Sequence, residues 1–293
     1  DLHTSDGAPR LAPEQLTPGP RALSAPVPPG CPTLQCRRRA LCHAWILLIS
    51  PAGRSMTAVS GFSLAKTGDH SGWEPVGPPD YCVEVSGRSA FWARLYTHAA
   101  AAGVESRHCQ RVVVMGDGAH WIWEEAPTYF GGAGKEVIEI VDFYHAAEHV
   151  WTVAHALYPA DEAGAAAWAK PLVTALREQG PAPVQAALAA VHPDNPGGAA
   201  VVERERGYFA YHAARMDYPR YQREGLPLGA GRVDSACTVV LKQRLSQGGM
   251  RWTRAGAQAV ATLRAWHRSG RWAALWASRP LIQRVPPKRR CAA

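Results

Sequence analysis

An α/β domain with a helical second half is predicted by three features of this sequence. Two short β-branched runs, Arg111 to Met115 (RVVVM) and Val137 to Val141 (VIEIV), read as buried strands. A strand-like Tyr81 to Val85 (YCVEV) and a helix-patterned segment precede them at the spacing of an α/β sheet. From Ala146 to about Gln222 the chain turns alanine-rich and helical in period.

The elements follow in order. Residues 1 to 68 carry little pattern, and the opening 35 are rich in Pro, Ala and Gly, a composition expected to be disordered. The first methionine is Met56, which suggests a partial reading frame. Residues 37 to 53 imitate a signal peptide, but the apolar core spans only Ala44 to Ile49, so export is not expected. Cys31, Cys36, Cys42 and His43 are zinc-ligand types without a tight CxxC spacing, which favours a chance cluster. Order is expected from about Trp73, within a domain spanning 69 to 293. Ser89 to Ala102 reads as a helix with Phe91, Leu95 and Tyr96 on one face, stopped at Gly103. Helix breaks are expected at Pro159, Gly180 and residues 193 to 198. Gly225 to Gly231 reads as a turn, then helices over about Arg232 to Gln247 and Thr253 to His267.

Charge is the second line of argument. The 293 residues carry a net charge of +8, unevenly distributed. From Gly225 to Ala293 there are 13 Lys and Arg, and Asp234 is the only carboxylate side chain; the preceding residues have 19 basic and 23 acidic side chains. A solvated surface normally mixes both signs, so this end is read as facing a polyanion. No apolar run approaches the ~20 residues of a membrane span. Seven scattered cysteines form no disulfide framework, as expected of a reduced, cytosolic protein.

Three constellations are candidates for chemistry. Asp117 follows the RVVVM strand, between Gly116 and Gly118. Ligand sites in α/β sheets collect at such strand ends, although Asp-Gly is also a common turn pair. Asp142, His145, Glu148 and His149 follow the VIEIV strand, and helical spacing puts 142, 145 and 149 on one face. They read either as buttresses of the strand end or, through His145-x-x-Glu148-His149 with Glu224 as third ligand, as an inverted zinc-protease motif. Asp234 falls in the first turn of its helix, where the helix dipole favours an acid. Positions 234, 237, 238 and 241 are expected on one sheet-facing side, with Arg232, Lys242, Arg244, Arg251 and Arg254 suited to phosphate.

Taken together, VVVMGDGAHWIW (112–123), IEIVDFYHAAEHVW (138–151), GYFAYHAARMDYPRYQREGLPLGAGRVDSACTVVLKQRLSQGGMRW (207–252) and SGRWAALW (269–276) resemble an insertion-sequence transposase of the ISKra type. The resemblance covers roughly residues 73 to 278. It implies an RNase H-like sheet core with a helical insertion at about 150 to 224 and a basic helical C-terminal end. It implies a DDE site in which carboxylates hold two Mg²⁺ or Mn²⁺ ions, with Asp117 as the second acid and Asp234 as the third, both as metal ligands. Asp142, His145 and His149 become a supporting cluster. The implied partner is DNA at the element's ends, bound by an oligomer of the chain in a bacterial cytoplasm and nucleoid; no membrane is involved. Two departures stand out. The family carries Glu where this chain has Asp234, and Lys where it has Thr238. Its first acid lies on an early strand, whereas residues 7 to 68 contain no Asp; Asp69 and Asp80 are the stand-ins.

Overall fold

A computed structural model describes residues 41–49, 57–66, 73–85, 87–106, 109–132, 134–193, 196–229, 237–245 and 248–277. Those up to 273 belong to one compact unit, 36–273, and residues 274–277 to another. Its elements are β1 (Leu41–Ile49), β2 (Thr57–Lys66), β3 (Trp73–Glu84), α1 (Arg88–Ala101), β4 (Cys109–Gly116), α2 (His120–Phe130) and β5 (Glu136–Val141). Helices α3 (Phe143–Leu157), α4 (Glu162–Gln179), α5 (Ala182–Ala190), α6 (Pro196–His212) and α7 (Tyr218–Arg223) follow. A π-helical stretch, Cys237–Lys242, then precedes α8 (Arg254–Arg268) and α9 (Trp272–Ala277).

The fold class is mixed α/β. The five strands are ordered β3-β2-β1-β4-β5. β1 pairs antiparallel with β2, and β2 with β3; β4 pairs parallel with both β1 and β5. The first β-branched run is buried as expected, with Val112, Val113, Val114 and Met115 fully buried in β4, whereas the second forms the edge strand β5 and buries mainly Ile138, Ile140 and Val141. Parallel pairing needs a crossover, and α2 supplies it between β4 and β5. That helix was not among the sequence expectations, and it contains Pro127. Pro127 falls in the last turn, and Gly131 N–H still bonds its carbonyl.

β1 and β2 fall within residues 1 to 68, where no element was expected. The run from Ala44 to Ile49 that imitates a signal peptide is the second half of β1. Short apolar runs do not declare their structure by period alone; pairing with β2 and β4 settles it.

The helical stretch fills the expected region. One apolar core runs from the sheet (Val112, Ile140) through α3 (Val150, Val153) to α5 and α6 (Leu188, Phe209). Arg111 bonds both Glu136 and Glu224, and Arg220 bonds the same two carboxylates, tying α7 to the start of β4 and β5. Helix α8 covers the outer edge of β3. Gln258 accepts from Val85 N and donates to Val83 O, both at 2.8 Å, and Tyr81 N donates to Ser269 Oγ at 2.8 Å. Side chains thus satisfy the backbone groups that make an open edge prone to aggregation. No helix among the described residues is long and apolar enough to cross a membrane.

Candidate functional site

Strands β4 and β5 end side by side, and each is followed by an acid. Asp117 is half-buried, and its Oδ1 accepts from Ala119 N at 3.0 Å. That bond opens α2, so the turn role of Asp-Gly is realised while the second carboxylate oxygen is not needed for it. Asp142 is buried and caps α3: Oδ1 accepts from Tyr144 N at 2.7 Å and from His145 N at 3.2 Å. Its own N–H donates to Gly116 O at 2.8 Å, which locks the two strand ends together. Both acids stand at the carboxyl edge of parallel strands.

A wall from α6, absent from the sequence expectations, closes one side of this edge. Glu205, Tyr208 and His212 are spaced three and four apart and share a face. His149 donates from Nδ1 to Glu205 Oε2 at 2.6 Å, and Arg204 reaches Oε1 of the same buried carboxylate at 2.7 Å. Burial pushes the Glu205 carboxyl up, but the bonds from His149 and Arg204 outweigh it and hold it below the usual range. The Tyr208 ring stacks on His149 with centroids 3.7 Å apart, and its hydroxyl points at Asp117 O at 3.5 Å. Burial, followed by the charges of Asp117, Glu205 and Asp142, raises the Tyr208 phenol far above its ordinary value, so it remains a donor. His212 is buried among Trp123, His120, Tyr208 and Tyr211. Its Nδ1 has no hydrogen-bond partner among the described residues. Burial, then the nearby Arg215 and His120, push it down to about 4.

Asp142, His145 and His149, expected on one face, lie in the first two turns of α3 and its cap. His145 and His149 lie with ring centroids 5.1 Å apart, and His145 Nδ1 is 3.4 Å from Glu148 Oε2. Glu224 does not join them. It pairs with Arg111 and Arg220 at the start of β4 and β5, about 20 Å of strand away from Asp117. With Glu224 so placed and His149 Nδ1 held by Glu205, the protease reading lacks its expected third ligand. Asp80 does not substitute for a first acid. It lies on β3, with β2 and β1 between it and β4, bonded to His98 at 2.9 Å and Arg271 at 2.8 Å.

Asp234, Arg232, Asp69, Cys31 and Cys36 lie outside the described residues. The chain approaching Asp234 is anchored at the strand-end site: Phe143 N donates to Leu228 O at 2.8 Å, and Gly229 lies against the Tyr144 ring. Downstream, Cys237, Val240 and Leu241 are buried against Val83, while Thr238 is exposed. Thr238 therefore leaves the expected sheet-facing side, and the buried face is formed by 237, 240 and 241, three and four residues apart. Lys242, Arg244, Arg251 and Arg254 are exposed, and none pairs with a carboxylate among the described residues. Nor do three His, Cys, Asp or Glu side chains among the described residues gather so as to hold a metal ion. Asp117 and the capping Asp142 do not by themselves fit a two-ion centre.

No protein-family model, no curated protein and no solved structure matches this chain.

The tight fit of α6 on the Asp117 turn gives a first prediction. Gly118 has φ +100°, and a Cβ there would lie 2.8 Å from Tyr208 Cε2 and 3.2 Å from His212 Nε2. Tyr208 is held by its stack on His149 and cannot swing away. Gly118→Ala should cost about 2–3 kcal/mol in urea unfolding, through backbone strain and overpacking. Gly132→Ala, where a Cβ meets nothing within 4 Å, should cost far less. Equal effects at the two positions would mean that α6 does not press on the turn.

Proposed function

We propose that this chain is the DNA-engaging core of an insertion-sequence transposase on an RNase H-like sheet, with Asp117 and Asp234 as catalytic acids. The observation that carries this reading is the pairing of Asp117 and Asp142 beyond adjacent parallel strands of a mixed sheet. The strand order β3-β2-β1-β4-β5, with β1, β4 and β5 parallel and β2 antiparallel to both of its neighbours, supports it. So does the exposed cationic series Lys242, Arg244, Arg251 and Arg254, which suits backbone phosphates. His145, His149 and the α6 wall then keep Asp117 and Asp142 in place. The substrate is the element's own ends, and the chain works as an oligomer on them.

A second reading, DNA binding without catalysis, is favoured by one observation. The first acid is expected on an early strand, and neither β1 (LCHAWILLI) nor β2 (TAVSGFSLAK) carries a carboxylate.

One experiment judges both. Duplex affinity should fall with salt at a log–log slope of about −0.9 per phosphate contact; salt-independent binding would sink the polyanion reading. Mn²⁺-dependent nicking of a supercoiled plasmid that disappears in Asp117→Asn, with DNA binding unchanged, supports the catalytic reading. Salt-sensitive binding with no nicking by the wild-type chain selects the second. Nicking that survives Asp117→Asn removes Asp117 from the site.

A further inference from the structure

A cluster of arginines without an acid lies apart from the strand-end site, on the helix that packs along β3. Sheet edge β3 is the one opposite β5. The Arg264 side chain donates from Nε to Val240 O at 3.0 Å and from its terminal nitrogen to Val239 O and to Gln243 Oε1. All three acceptors are neutral, so the guanidinium is held in position without being neutralised. Burial, then the neighbouring Arg244 and Arg268, pull Arg264 below the usual guanidinium range. Arg264 and Arg268 line one cavity, and neither they nor Arg244 pair with a carboxylate among the described residues.

Helix electrostatics explain part of this. His267 and Arg268 sit in the last turn of α8, where the dipole favours positive charge. That argument does not reach Arg264, one turn earlier, nor Arg244 on another element. It also does not explain the shape beside them. A cavity of ≈ 290 Å³ is lined by Leu263, Arg264, His267, Arg268 and Trp272, at the small end of ligand pockets, roughly 300–1,000 Å³. Trp272 is 38% exposed, and the His267 ring meets it edge to face with centroids 5.6 Å apart. An aromatic face beside fixed cations is the chemistry that holds a nucleobase and its phosphate.

We propose that this cavity seats one unpaired nucleotide of a DNA strand, its base against Trp272 and its phosphate on Arg264 and Arg268. The inference rests on the DNA-binding reading above and extends it, because duplex DNA keeps its bases stacked inside and offers this pocket phosphate alone. A strand opened or frayed at a cleaved end offers both groups.

The test compares a labelled short oligothymidylate with a blunt duplex by fluorescence anisotropy, at one fixed salt concentration. Trp272→Ala should weaken oligothymidylate binding about tenfold, the loss of one stacked base, and leave duplex binding nearly unchanged. Arg268→Ala should weaken the oligothymidylate more than the duplex. Arg254→Ala, on the same helix but outside the cavity, should affect both alike. Unchanged oligothymidylate affinity in Trp272→Ala overturns the seat even if the duplex still binds, and so does a wild-type chain that binds only duplex. Tighter binding of oligouridylate than of oligothymidylate overturns the assignment to DNA. Failure to bind the duplex, by contrast, counts against the proposed function itself.

Discussion

Trp92→Ala is expected to destabilise the fold by about 3–5 kcal/mol, the usual cost of deleting a large aromatic from a core. Trp92 is fully buried on α1. Its ring stacks on Tyr129 at 5.4 Å with an interplanar angle of 14°, and meets Trp121 at 6.1 Å and Phe130 at 6.2 Å edge-on. It is thus the joint between α1 and α2, the helix that carries the chain from β4 to β5. Losing it leaves a void lined by rigid rings that cannot collapse into it. Urea unfolding should show a lower midpoint with an unchanged slope. Trp92→Phe is the informative companion. Trp92 Nε1 is buried without a hydrogen-bond partner among the described residues, so removing that donor offsets part of the lost packing. Phe should therefore cost much less than Ala. A loss below about 1 kcal/mol for Ala would mean that this cluster does not hold the two helices together.

The second large effect is a loss of stability in mild acid. His212 is buried and neutral, with its folded pKa pushed down to about 4 from the usual 6.5. Between these values the unfolded chain binds a proton that the folded chain refuses, so stability rises with pH across that window. The contribution is complete above about pH 6.5 and is lost progressively as the pH falls towards 4. At about 1.4 kcal/mol per pH unit of separation, this amounts to roughly 3 kcal/mol. Glu205 acts lower on the scale: its depressed carboxyl stabilises the fold above about 4.5, and that stability is lost as the pH falls through its folded value. His212→Gln should flatten the limb between pH 6.5 and 4 and leave the steeper drop below it. An unaltered limb in the variant would assign the acid sensitivity to other groups. The result matters for function because protonating His212 disturbs the residue that backs the Asp117 turn.

Much of the scaffold was legible because local chemistry and tertiary environment agree. The runs RVVVM and VIEIV are rich in β-branched residues, and both became strands: β4, buried on both faces from Val112 to Met115, and the edge strand β5, which buries Ile138 and Ile140. Helix α8 starts where Thr253 Oγ1 accepts from Gly256 N at 3.1 Å, at the predicted boundary. The breaks at Pro159 and Gly180 also fall between helices. β1 was not legible, because LCHAWILLI reads as strand, buried helix or signal segment until a partner strand is supplied. The α6 wall was hidden for a different reason. Glu205, Tyr208 and His212 lie 56 or more residues beyond His149 and Asp117 in sequence, and only their common helical face hints that they act together.

Asp117 and Asp142 were marked by sequence alone, because an acid directly after a buried strand is a local pattern. The excess of positive charge at the C-terminal end was equally plain, since composition needs no fold to be counted. Tertiary structure decided which groups those acids meet. It turned Asp142 into a helix cap, set Tyr208 and His212 against the Asp117 turn, and removed Glu224 and Asp80 from the site. Spacing reports only neighbours along one element, whereas burial and parallel pairing bring together residues that are far apart in the chain.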